Sequence, residues 1–165
     1  MNQLSSQILE LLKEQNKYDS EISGFCEVLS FLPYFQDIKE SDYIIYHDDN
    51  TFEYTAEFYS FIKALFEAKL VEDVDEMTKF LDCYQCCSAY KYWMKELNVI
   101  LSNDELIVKT NLSFIRKAFL SMIRLERVLP GSWGIDVETG NWVKLLQQLK
   151  RILPEIYRCE KKAMN

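Results

Sequence analysis

Glycine and proline are scarce, at four and three residues in a chain of 165. A chain with so few places to turn cannot make many short strands, so long helices are expected. No apolar run approaches the ~20 residues that cross a bilayer, and no secretory leader pattern opens the chain. The expected location is the cytoplasm, where the five cysteines would be reduced thiols. Histidine occurs once, at His47, which excludes an HxxxH metal pair. The sequence has no Gly-rich phosphate loop, no calcium-loop spacing and no second CxxC. No cofactor is therefore expected. Positive charge is also short: 19 Lys and Arg stand against 26 Asp and Glu, for a net charge of −7. That balance argues against direct nucleic-acid binding, which needs net positive surface to neutralise phosphates. It suits a protein partner with a basic surface.

What is present is aromatic and unevenly charged. Aromatics make up 14% of the chain, so large rings should fill much of the core. That content also permits a homodimer. From Asp37 to Asp82 there are thirteen acids and four bases, whereas from Asn141 to Asn165 there are six bases and two acids. The length suits one domain spanning residues 1–165.

The densest apolar pattern lies between Leu112 and Val128, which contains no Gly or Pro and has Asn111 as a ready N-cap. At a helical period, Leu112, Ile115, Ala118, Phe119, Met122 and Ile123 share one side. Phe114, Leu120 and Leu125 widen it to more than half the circumference, leaving Ser113, Lys117, Ser121 and Arg124 as a polar strip. This segment should be the central, buried helix. Three charges break its pattern: Glu126 projects between Met122 and Phe119, and Arg116 and Arg127 flank Ile123. A buried charge needs a counter-ion or a full set of hydrogen bonds. The plainer reading is structural ion pairs that fix helix docking. The sharper one is a small-anion or polar-ligand pocket, with Arg116, Arg124, Glu126, Arg127 and Trp133 as candidate ligand-binding residues.

Elsewhere the pattern predicts helices over 3–17, from Ser20 to near Pro33, over 55–70, from Asp73 to about Leu101, and from Asn141 onward. Phe58, Phe61, Ile62, Leu65 and Phe66 should face inward from the third, and Trp142, Leu145, Leu146, Leu149 and Ile152 from the last. Pro154 should interrupt that last helix, leaving a basic tail over 157–165, and Pro130 to Gly140 reads as an irregular loop. Asp42–Tyr54 breaks the helical period: Tyr43–Tyr46 and Thr51–Tyr54 favour strand around an Asp48-Asp49-Asn50 turn. The expected fold is mainly α: a single-domain bundle of about six or seven helices around 112–128, with one short β-hairpin near 43–54. Helix 2–17 and the tail would be peripheral.

Cys83, Cys86 and Cys87 form a CxxCC cluster at helical spacing. Two of its thiolates could share a metal, with Cys26 and Cys159 as distant additions. Core packing of small apolar side chains is the simpler reading. His47 beside Asp48 and Asp49 has no nucleophile at a recognisable spacing, so it reads as a surface residue of the hairpin.

Three segments together resemble an uncharacterised bacterial family of small helical proteins, a domain of unknown function. They are FLPYFQD (Phe31–Asp37), EFYSFIKALFE (Glu57–Glu67), and the run containing Arg116, Lys117, Arg124, Glu126, Arg127, Gly131 and Gly140. Val128 stands where that family usually has an aromatic, and residues 68–104 exceed its usual connection. The resemblance implies a helical fold and a site near the RxER run, and no reaction. With no nucleophile–base pair visible, the expected function is a non-catalytic adaptor or inhibitor acting through an acidic and aromatic surface. A small-anion or polar-ligand binding protein or enzyme, with its site around Arg116, Glu126 and Arg127, is the alternative.

Overall fold

A computed structural model of the chain describes residues 23–71 and 88–163, with side chains over 23–71 and 92–154. The expected helices over 3–17 and 74–84 and the Cys83, Cys86, Cys87 cluster lie outside the described residues, as does the side chain of Cys159. The fold is mainly helical with one short two-stranded antiparallel hairpin. In chain order the elements are α1 (23–29), α2 (Leu32–Gln36), α3 (Glu40–Tyr43), β1 (Ile44–Tyr46), β2 (Phe52–Tyr54) and α4 (Ala56–Glu67). Then follow α5 (Ser88–Leu101), α6 (Asp104–Ile107), α7 (Leu112–Val128), α8 (Ser132–Glu138) and α9 (Asn141–Ala163). Among the described residues no helix is long and apolar enough to cross a membrane.

α7 begins and ends where its apolar period does. Asn111 caps it, its side-chain oxygen accepting from Phe114 N–H at 2.9 Å. Residues 118–123 are all buried, a continuous run that needs neighbours all round the helix. Ser121, expected on a polar strip, is among them at 1% exposure. The reason is α5, which lays Trp93 along that strip. Trp93 Nε1 donates to Ser121 Oγ at 2.9 Å, the Lys117 ammonium lies 4.1 Å from the centre of the Trp93 rings, and Phe114 meets Trp93 edge-on.

α9 is the second axis, packing on α2, α6, α7 and α8. Trp142, Leu145, Leu146 and Leu149 are fully buried along it. The Trp142 ring lies within 6.3 Å of Phe35, Phe58, Phe61 and Phe119, so rings from α2, α4, α7 and α9 meet at one point. Those distances are ordinary for paired aromatic rings. Phe66, expected inward on α4, is 48% exposed: it lies at the edge of the buried arc, whose centre is Phe58, Phe61 and Leu65.

Four further expectations are corrected. Pro33 opens α2 instead of closing the preceding helix; its ring fits a first turn, where no amide bond is lost. Tyr43 ends α3 instead of starting a strand, and the hairpin pairs Ile44 with Tyr54 and Tyr46 with Phe52. α9 runs through Pro154 to Ala163. Lys150 and Pro154 are both exposed, so the carbonyl that loses its amide donor faces water. Residues 132–138 are helical instead of an irregular loop, for a reason that lies in the chemistry of Glu126.

The hairpin turn follows the sequence closely. Asn50 takes the left-handed φ of 64°, and the Asp49 carboxylate accepts from both the amide and the hydroxyl of Thr51. The Asp42 carbonyl accepts from Tyr34 Oη and Thr55 Oγ1, each at 2.8 Å, which ties α2 and α4 to the base of the hairpin.

Candidate functional site

The RxER run sits in the last turn of α7, where an acidic side chain opposes the helix dipole. Glu126 is stable there because its carboxylate belongs to the next helix. Gly131, in the left-handed region at φ 95°, turns the chain back and begins α8 with no side chain to cap it. Glu126 supplies the missing cap. Its Oε1 accepts from Gly131 N–H at 2.7 Å. Its Oε2 accepts from Trp133 N–H at 2.9 Å, Tyr54 Oη at 3.0 Å and Ser132 Oγ at 3.1 Å. Four donors around one half-buried carboxylate satisfy it without a cation.

The Tyr54 phenol is held well above its ordinary range, first by burial, then by the charge of Glu126 and the bond to it. Trp133 Nε1 donates to the Met122 carbonyl at 3.2 Å, and Trp142 Nε1 donates to the Trp133 carbonyl at 3.1 Å. The joint is thus fastened to α7, to the hairpin and to α9. Beside it, Asp136 accepts from Asn141 Nδ2 at 2.8 Å. Burial, opposed by that bond and reinforced by the charge of Glu126, pushes the Asp136 carboxyl up to about 6.

The structure brings together Glu126 and Trp133, and not the arginines. Arg127 is exposed in the last turn. Arg116 and Arg124 are half-buried along α7, and Arg116 Nε is buried with no hydrogen-bond partner among the described residues. The expected ion pairs of Glu126 are replaced by backbone amides and hydroxyls. Sequence reading missed Tyr54 and Ser132, which reach Glu126 across 72 and 6 residues. The available signal was a Glu four residues before a Pro-Gly-Ser turn. His47 is exposed and lies 3.7 Å from Glu53 across the hairpin. Among the described residues no cluster of His, Cys, Asp or Glu is arranged to hold a metal ion.

A concave surface lies elsewhere. A cleft of about 900 Å³ opens between α2–α3, α6 and α8–α9. Ile107, Val137 and Val143 give it apolar walls, and Glu40, Asp104 and Glu138 also line it. Gln148, a buried amide passed over in the sequence, closes it underneath: its Nε2 donates to the Thr110 carbonyl at 2.8 Å and the Val108 carbonyl at 3.3 Å. Its Oε1 accepts from Arg151 Nη1 at 2.6 Å. Lys144 Nζ donates to the Leu101 carbonyl at 2.7 Å, at the end of α5. Lys144 therefore ties α9 to α5, and Arg151 holds the Gln148 amide in place. Tyr43, buried at the edge of the cleft, has its phenol raised by burial first and then by the charges of Glu138 and Glu40.

No family model, curated protein or solved structure matches this chain.

Proposed function

We propose that the chain is a non-catalytic interaction module, an adaptor or inhibitor of another protein, and that the cleft between α2–α3, α6 and α8–α9 is its docking surface. The observation that carries this reading is the division of labour among polar groups. Glu126, Tyr54 and Gln148 are engaged in holding helices together. The cleft instead combines apolar walls with carboxylates that form no salt bridge among the described residues. Apolar contact area edged by unpaired charge is how protein interfaces gain affinity and select partners. The net charge of −7 favours a partner with a basic surface. Membership in the bacterial family that the RxER run resembles belongs to the same proposal, with Glu126 and Gly131 building the joint.

A photo-cross-linking residue tests the reading. Placed at Gln147, which lines the cleft, it should capture a discrete partner in a lysate of the source cell. Placed at Lys95, exposed on α5, it should not. Equal capture from both positions would remove the cleft from consideration.

A second reading, a small-anion site on α7, is favoured by the buried and unpartnered Nε of Arg116. Under it, inorganic phosphate raises the melting temperature of the wild type and not of Arg116→Gln. A shift of equal size in both proteins would discard it.

A further inference from the structure

The cleft carries a statement about the chemistry of its occupant, which rests on the interaction reading above. Two acids from separate elements converge on one cleft beside Tyr43. Glu40 begins α3 and Glu138 ends α8, yet the charge of each is felt by both Tyr43 and Tyr46. Glu40, Tyr43 and Glu138 all line the cleft. Close packing of α3 against α8 produces the convergence: a Cβ on Gly134 would lie 3.4 Å from Tyr43 Cε2. The two basic side chains that line the cleft bond to other groups, Lys144 to the Leu101 carbonyl and Arg151 to Gln148. Neither Glu40 nor Glu138 forms a salt bridge among the described residues. The apolar walls of the same cleft, Val137 and Val143, lie beside them.

We infer that the cleft receives a Lys or Arg side chain from a basic segment of a protein partner, its cationic head between Glu40 and Glu138 against the Tyr43 ring and its alkyl stem along Val137 and Val143. The chemistry is complementary at each end. Carboxylates bind guanidinium and ammonium groups through charge-assisted hydrogen bonds, and an aromatic ring adds attraction for a cation. A long aliphatic stem buries on apolar surface while its head stays at a polar site. An anionic occupant would meet three lining acids, Glu40, Asp104 and Glu138.

Acetyl-arginine amide, titrated into ¹⁵N-labelled protein, is the probe. Saturable shifts should concentrate at the amides of Val137, Gly140 and Val143, and acetyl-glutamate amide should give none. Glu40→Gln/Glu138→Gln should weaken binding by about tenfold or more, while Glu27→Gln/Asp48→Asn, with the same change in net charge at exposed positions, should change it less than about twofold. Glu138→Gln alone, which leaves α3 untouched, should give an intermediate loss. Shifts scattered over the acidic surface, or equal weakening by both double variants, would overturn the inference. The cross-linker at Gln147 separates this failure from that of the parent reading. Undiminished capture by Glu40→Gln/Glu138→Gln refutes the cationic occupant and leaves the interaction module standing. Absence of cleft-specific capture refutes the parent reading itself.

Discussion

At the scale of single residues, Glu126 and Arg127 are chain neighbours with opposite fates. Glu126 turns toward α8 and meets four donors, whereas Arg127 faces water. Glu126→Gln keeps the shape but presents amide hydrogens to backbone N–H groups that need an acceptor. It should cost about 2–3 kcal/mol in urea unfolding, as expected for hydrogen bonds to a charged, half-buried group. Arg127→Ala should stay within about 0.5 kcal/mol. A comparable loss from both would show that Glu126 acts only through general surface charge. Asp136 gives a pH signature. Its carboxyl stands at about 6 against an ordinary 3.8, so the folded chain holds the proton more tightly than the unfolded one. The contribution of this group to stability therefore falls as pH rises from about 4 to about 6, and stays low above that. Asp136→Asn keeps an acceptor for Asn141 and loses the charge. It should stabilise the protein at about pH 7.5 by roughly 1–2 kcal/mol, allowing for partial exposure, and flatten the melting temperature across that window. An unchanged pH profile would place the Asp136 carboxyl near its ordinary value.

At the scale of elements, the structure is held by a few points where helices meet closely. Gly24 on α1 is one: an added Cβ would lie 2.9 Å from Ala68 Cα at the end of α4. Ala normally favours a helix over Gly by about 1 kcal/mol. Here overpacking against backbone should dominate, and Gly24→Ala should lower stability by about 1–3 kcal/mol in thermal or denaturant unfolding. Gln148 is another, joining α9 to the connection between α6 and α7. Gln148→Leu would leave the Val108 and Thr110 carbonyls without that donor, and should cost about 2–3 kcal/mol. A neutral result would mean that water replaces the amide. The α7–α8 joint explains why residues 132–138 escaped sequence reading. Their helix starts at a glycine, and its cap comes from a residue in the preceding helix, so no local N-cap motif marks it.

At the scale of the whole molecule, the aromatic rings of α2, α4, α7 and α9 converge on Trp142. A ring shared by four elements should make unfolding cooperative. Trp142→Ala should cost about 3–5 kcal/mol, a large part of the 5–15 kcal/mol typical of a domain, and broaden the near-ultraviolet dichroism transition. Loss of the signal from one element alone would contradict a common core. The composition already pointed to helices, and the spacing of Leu112–Val128 located α7 with its Asn111 cap. The Thr55 cap of α4 and the hairpin turn at Asp48–Asn50 were equally readable, because caps, periods and turns are set by residues within a few positions of one another. Partners distant in sequence were not readable. Trp93 covering Ser121, Tyr54 reaching Glu126, and Glu40 and Glu138 lining one cleft with Tyr43 each depend on how helices dock. The chain by itself determined where α4 and α7 lie and that Glu126 needed partners. Only the tertiary structure decided which groups answer that need and where the cleft opens, because packing in three dimensions sets those distances and periodicity does not.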